Sequence, residues 1–473
     1  MTAHRVRLSV LALALALFGL MRMLPAPAGL SADGWAVAAL AAVMAMLWLS
    51  GALPLALTSV LPFILLPLMG VMKPAGVAGL YWSPVIFLVL GGAIIAVAVE
   101  THQLHRRLAL AVVARAPASP RGLVVAFMAA TALVSMGVSN TATAFIMMPV
   151  ALAVAGALAG PASGGAGLVT AMVLGVAYAA NIGGLGTLVG TPTNAISAGI
   201  VERSLGLQVD FLTWLAFGVP LVLLAIPATA LILIALFRVP GGRLDREELV
   251  TLLGRQGALT PDQKRLLPLL ALLLLGWVVW PLLAVAFKLP APDDGMVAMA
   301  VSLLLFIVPS AERDGALLDW KATTARLPWD ILLLFGGGLA LAGAITDSGL
   351  AAWIGAQLSA LEALPTLMLA LLVVGLVVLV TEFASNVAAA SAFMPVVAAV
   401  AVQTGTAPLP LVMASAFAAT WGFMMPSGTP PNAIAFATGH VSIGQMVRAG
   451  FFVNLLGILL MVGVSFGVAA LLG

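Results

Sequence analysis

Apolar residues fill this chain in long blocks, separated by short breaks rich in Gly, Pro and polar side chains. A run of about 18 or more apolar residues is long enough to cross a bilayer as a helix. The pattern predicts spans near residues 8–25, 33–52, 55–72, 83–100, 168–202, 212–237, 266–287, 295–310, 329–346, 410–437 and 448–470. Two further stretches, 122–157 and 365–403, are too long for one crossing and carry Gly, Ser, Asn and Thr at their middles. Each reads as a re-entrant hairpin or as two spans, and hydropathy alone does not separate the two. The predicted fold class is an all-α polytopic membrane protein.

Composition agrees: 63% of the 473 residues are hydrophobic, 8% are charged, and mean hydropathy is +1.20. Soluble domains carry about three times that share of charge. With no cysteine, disulfides, thiolate metal sites and thiol nucleophiles are excluded. The net charge of +3 does not point to nucleic acid, because the basic residues are sorted by membrane side. With a cytoplasmic N-terminus, only Arg22, Lys73, Arg203 and Lys288 fall outside, as the positive-inside rule expects. Eleven crossings then put the C-terminus outside, in a multi-pass protein of the cell's inner membrane. The first apolar stretch has some signal-peptide character, but Arg22 interrupts the approach to a cleavage point, so it reads as a retained span. The charged stretch 238–265 reads as a cytoplasmic linker. The segments 100–117 and 346–364 look amphipathic and are expected to lie at the two interfaces. All four histidines (His4, His102, His105, His440) fall in loops or interface stretches and read as solvated.

The polar interruptions recur in register. "VSNTATAFIMMPV" (138–150) and "ASNVAAASAFMPV" (384–396) align without a gap, and the same offset pairs Gly91-Gly92 with Gly337-Gly338 and Leu104 with Leu350. "GTPTN" (190–194) and "GTPPN" (428–432) repeat at a slightly shorter offset. Five crossings lie between the hairpins. That odd number turns the second half upside down relative to the first, an arrangement of secondary transporters built from inverted repeats and broken helices.

Irregular backbone at membrane depth survives only beside protein or a wet cavity. The Ser-Asn segments put capping side chains where a hairpin reverses, with fresh helices expected from Ala142 and Ala388. Thr191-Pro192 and Thr429-Pro430 repeat the device, a capping Thr followed by Pro at the first helical position. Four helix N-termini would then converge and favour an anion without any Lys or Arg. Hydroxyl and carbonyl oxygens at the same breaks suit a hard monovalent cation such as Na⁺. Ser135, Ser139, Asn140 and the Gly190 backbone form one candidate site; Thr381, Ser385, Asn386 and the Gly428 backbone form its mate. Glu382 is the one carboxylate near a tip, opposite Met136 in the repeat. It reads either as a proton carrier or as an acceptor for a neighbouring helix end.

At "SNT" (139–141), "GTPTN" (190–194), "TEFASNV" (381–387) and "SGTPPN" (427–432) the chain resembles the divalent anion/sodium symporters, the family of dicarboxylate, citrate and sulfate carriers. The resemblance spans about residue 80 to the end. It implies a homodimer of eleven spans and two re-entrant hairpins per protomer, working as an elevator. Residues 1–80 would belong to the scaffold and dimer interface, 81–237 would form the first repeat and 266–473 the second. It also implies that Na⁺, the coupling ion in place of any cofactor, rests on the Ser-Asn tips, and that substrate carboxylates rest against Asn140, Thr141, Thr191, Asn386, Val387, Thr429 and Pro430. Val387 stands where the family pattern has Thr, so a hydroxyl donor is missing there.

The function expected is Na⁺-coupled symport of C4-dicarboxylates such as succinate, malate or fumarate, with membrane lipid and a second copy of the chain as partners. Alternatives are a tricarboxylate, 2-oxoglutarate or sulfate carrier, a Na⁺-independent exchanger, or a proton-coupled carrier. A channel would not need paired closed sites. The chain lacks His-Glu-x-x-His and the Walker glycine-lysine motif, which leaves no parts for zinc-dependent proteolysis or ATP-driven pumping.

Overall fold

Breaks in the apolar pattern become helix ends. The computed structural model describes residues 2–115, 117–158, 165–242, 257–290, 292–357 and 364–472. Among these, regular structure is helical apart from one bridge between Pro309 and Ala316. Ten helices among the described residues are long and apolar enough to span a membrane.

The chain opens with α1 (Thr2–Met23) and α2 (Ala32–Ser50), the latter capped by Ser31, whose hydroxyl accepts from Gly34 N. The span expected at 55–72 does not form. Its residues make two short helices, α3 (Leu55–Thr58) and α4 (Leu61–Leu68). Pro62 and Pro67 each lack an N–H, and the chain is pinned between the helices at Ser59. The Ser59 carbonyl accepts the Tyr81 hydroxyl, its Oγ accepts from Trp48 Nε1 at 3.3 Å, and Gly337 packs against it with no room for a Cβ.

After α5 (Pro74–Leu80) and α6 (Pro84–Thr101), Gln103 takes a left-handed φ of 54° and caps the start of α7 (Leu104–Val113). The first hairpin is α8 (Pro120–Ser135) and α9 (Asn140–Leu158). The first interrupted helix is α10 (Gly165–Gly184) and α11 (Pro192–Leu205), and α12 (Phe211–Leu236) follows.

Of the predicted linker, residues 243–256 lie outside the described residues. Its far end folds into α13 (Pro261–Leu274), started by a reciprocal Thr260–Gln263 capping box with Pro261 at the first position. A π-turn (Leu275–Val279) joins α13 to α14 (Trp280–Phe287). Then come α15 (Asp294–Leu305), α16 (Trp320–Thr324) and α17 (Trp329–Asp347). Gly349 (φ 78°) turns the chain into α18 (Leu350–Gln357). The second hairpin is α19 (Thr366–Thr381) and α20 (Asn386–Gln403), and the second interrupted helix is α21 (Pro408–Ala418) and α22 (Pro430–Ala437). The last helix is α23 (Ile443–Leu472). The amphipathic segments of the sequence correspond to α7 and α18, although parts of both, residues 116 and 358–363, lie outside the described residues.

Two of the histidines are not solvated. His105 is 3% exposed with Nδ1 at 3.1 Å from the Val99 carbonyl, and His102 Nε2 lies 3.0 Å from the Leu317 carbonyl. His102 is packed against the α13 start, where its carbonyl accepts from Gln263 Nε2 at 2.8 Å, and against the 315–318 turn, which the chain's own polarity does not reveal.

Burial sorts the helices. The α10 span is 83% buried and the α17 span 72%, against 6% for α1, 17% for 261–287 and 22% for α23. The poorly buried ones expose large apolar side chains such as Leu15, Val285 and Leu471, as expected where lipid is the solvent. The centre is therefore built around α10, and Tyr178 ties it to the second half: its hydroxyl lies 2.9 Å from the Phe423 carbonyl.

Candidate functional site

The hairpins reverse where the Ser-Asn clusters stand, and new helices begin at Asn140 and Asn386, two residues earlier than Ala142 and Ala388. Ser139 and Ser385 are the caps: each Oγ accepts a backbone N–H, from Ala142 and Ala388 respectively, at 3.2 Å. At the interrupted helices Thr191 and Thr429 precede Pro192 and Pro430 at the first helical positions. Thr429 Oγ1 accepts from Asn432 N at 3.3 Å, whereas the Thr191 side chain makes no capping bond.

Behind each tip the same oxygens meet. The Ser135 hydroxyl oxygen lies 2.9 Å from Asn140 Oδ1 and 2.6 Å from the Ala180 carbonyl. The Thr381 hydroxyl oxygen lies 3.2 Å from Asn386 Oδ1 and 2.7 Å from the Ala419 carbonyl. In each cluster three oxygens share a single hydroxyl proton, so one close oxygen pair is left without a hydrogen between its members. Neutral oxygens gathered in this way are of the kind that suits a hard monovalent cation. The close approach depends on Gly184, where a Cβ would sit 2.3 Å from Asn140 Oδ1.

Each helix break is held open by an asparagine. Asn194 Nδ2 donates to the carbonyls of Gly184 and Thr187, both at 2.8 Å. Asn432 Nδ2 donates likewise to Gly422 (3.0 Å) and Met425 (3.1 Å). These amides satisfy carbonyls that the interrupted helix leaves free. Both stand at the last position of the "GTPTN" and "GTPPN" motifs, so their shared position is visible in the sequence although their task is not.

Glu382, 2% exposed, is surrounded by donors. Its oxygens accept from Phe423 N (2.7 Å), Met424 N (3.0 Å to each oxygen), Met425 N (3.1 Å) and Asn454 Nδ2 (2.5 Å). It is the acceptor for the unwound backbone between α21 and α22.

One cavity of about 770 Å³ is lined by Ser139, Asn140, Thr141, Gly190, Thr191, Ser385, Asn386, Val387, Gly428, Thr429 and Pro430. The first turns of α9, α11, α20 and α22 thus border a single space. Ser135 and Thr381 do not line it; both are fully buried behind the tips. The one Lys or Arg among the lining residues, Arg326, is paired with Glu100 at 2.5 Å. Among the described residues no group of three or more His, Cys, Asp or Glu gathers.

A many-spanning helical protein whose interrupted helices and hairpin tips surround one central cavity is, by class, a membrane transporter. The family described as the sodium:sulfate symporter transmembrane region matches residues 5–472, and the chain belongs to it. The sodium-dependent dicarboxylate transporter SdcS of Staphylococcus saprophyticus is 38% identical over 462 residues, covering 94% of this chain and 88% of that protein. SdcS of Staphylococcus aureus (strain USA300) is 36% identical over 452 residues, covering 92% and 86%. Among solved structures, the Alcanivorax borkumensis YdaH transporter superposes with a TM-score of 0.53 at 16% identity, covering 83% of this chain and 88% of that one. Neisseria gonorrhoeae MtrF gives 0.54 at 13%, covering 81% and 80%. At these identities the two structures speak for the fold alone.

Proposed function

We propose that this protein carries C4-dicarboxylates across the inner membrane together with Na⁺. The observation that supports this best is the pair of proton-poor oxygen clusters, Ser135–Asn140–Ala180 and Thr381–Asn386–Ala419, each beside helix N-termini that border one cavity. Cations at the clusters, completed by Ser139 with the Gly190 backbone and by Ser385 with the Gly428 backbone, would offset the charge of the dianion. The loaded centre would then move through the low-dielectric barrier at far lower cost. Carboxylates would rest on Asn140, Thr141, Thr191, Asn386, Thr429 and the Pro430 turn, with Val387 giving an apolar edge in place of a hydroxyl. The names of the relatives, sodium-dependent dicarboxylate transporters, support the same ion and the same class of anion.

In this reading the halves are inverted repeats, the recurring helix boundaries at Pro120 and Thr366, Ser135 and Thr381, and Asn140 and Asn386 being their register. Two copies of the chain pair through the scaffold formed by the N-terminal spans, and the hairpins and interrupted helices move together as the elevator. With the N-terminus cytoplasmic, the cavity edge carrying Glu100, Arg326 and Asp330 faces the cytoplasm. Sulfate, which the family's description names, is the second reading; a small tetrahedral dianion could use the same helix ends.

A thermal-shift screen of the purified protein separates these. Succinate, malate or fumarate is expected to raise the melting temperature in NaCl and to have no effect in choline chloride, since a ligand stabilises only the state that binds it. Stabilisation by sulfate or citrate but by no C4-dicarboxylate would overturn the substrate, and stabilisation that ignores Na⁺ would overturn the coupling.

A further inference from the structure

The two oxygen clusters match each other, but what lies next to them does not. In the first, the Ala180 carbonyl is followed by Asn181; in the second, the Ala419 carbonyl is followed by Thr420. Asn181 is 1% exposed and reaches both ways. Its Oδ1 faces Asn140 Nδ2 at 3.4 Å, and its Nδ2 donates to Thr429 Oγ1 at 2.7 Å. Thr429 Oγ1 therefore accepts from Asn181 and from Asn432 N. With both lone pairs taken, its own O–H is free to donate into the cavity that Thr429 lines. Thr420, the mirror position, is fully buried and its hydroxyl has no hydrogen-bond partner. A threonine is too short to span the gap that Asn181 bridges.

We propose that Asn181 is a positioning residue that joins the first oxygen cluster to the Thr429 hydroxyl, so that filling the first cation site orients a substrate donor contributed by the other half of the chain. A cation drawn to Asn140 Oδ1 fixes the asparagine's orientation. That sets its Nδ2 against Asn181, and Asn181 in turn sets the direction of the Thr429 O–H. The second site has no such connection, so the two sites are unequal: the first carries the dependence of anion affinity on Na⁺. The inference rests on the Na⁺-coupled dicarboxylate reading above.

The test is succinate binding by the full-length purified protein, measured at low and at high NaCl with choline chloride holding ionic strength. Na⁺-induced thermal stabilisation is recorded alongside. Coupling between two sites is typically worth about 5- to 150-fold in affinity. Asn181→Thr, which copies the mirror position, is expected to reduce the ratio of the succinate Kd at low and high Na⁺ by about fivefold or more, while Na⁺ alone still stabilises the protein. Thr429→Val, at the far end of the connection, should reduce the ratio similarly, and it carries the test if Asn181→Thr does not fold. A residue of purely structural value would weaken binding equally at both concentrations. An unchanged ratio overturns the proposal, as does loss of Na⁺ stabilisation in both variants. Wild-type protein whose succinate affinity ignores Na⁺ overturns the transport reading itself, and the proposal with it.

Discussion

Asn140→Ala and Asn386→Ala are each expected to reduce Na⁺-driven succinate uptake into proteoliposomes by about a hundredfold. A hydrogen bond or ligand contact to a charged partner is worth about 1.5–3 kcal/mol, and each 1.4 kcal/mol is a factor of ten. Both asparagines do two things at once. Their Oδ1 atoms belong to the oxygen clusters with Ser135 and Thr381, and their first-turn positions border the cavity. In the proposed reading, truncation removes an ion contact and a substrate contact in one step. It leaves the hairpin caps intact, because Ser139 and Ser385 hold Ala142 N and Ala388 N. Size-exclusion profiles should therefore match the wild type while initial rates collapse. Uptake near the wild-type rate in both variants would contradict the assignment of the tips.

Glu382→Ala should be the most damaging change at the second helix break, and Glu382→Gln an intermediate one. Alanine strands three backbone amides, those of Phe423, Met424 and Met425, together with the Asn454 amide group. A buried donor left unsatisfied costs about 1–3 kcal/mol. Glutamine keeps one acceptor oxygen but turns an NH₂ group toward a donor. The melting temperature should fall in the order wild type, Gln, Ala. The same donors occupy the oxygens that a carried proton would need, so wild-type uptake should not follow an imposed pH gradient. If uptake does follow the pH gradient and Glu382→Gln abolishes that response without lowering the melting temperature, Glu382 is a proton carrier and not the clamp described above.

The parts of this molecule that can be read from sequence are those where polarity is expensive. Ser, Asn and Thr in an apolar run must have a reason, and their recurrence at 139–140 and 385–386, and at 190–194 and 428–432, points to two hairpin tips and two breaks. The structure has helix ends at each of these places. Hydropathy misleads at 55–72, because an average does not register that Pro62 and Pro67 interrupt backbone bonding or that Ser59 is needed by Tyr81 and Trp48. Asn181 is inconspicuous because it lies within the helical α10 and its mirror position is Thr420, so neither motif nor repeat marks it. Glu382 is conspicuous as an acid in an apolar stretch. Apart from the Asn454 side chain, its partners are backbone amides some forty residues away, between α21 and α22, and backbone groups leave no trace in side-chain patterns.

Succinate uptake by proteoliposomes holding the full-length protein, with an inward NaCl gradient in one arm and choline chloride with an inward proton gradient in the other, tests the account most directly. Saturable accumulation in the Na⁺ arm, absent in the choline arm, is the predicted result. Equal accumulation with choline, or flux that tracks the proton gradient alone, would contradict the central claim that the paired oxygen clusters bind the ion that drives the anion.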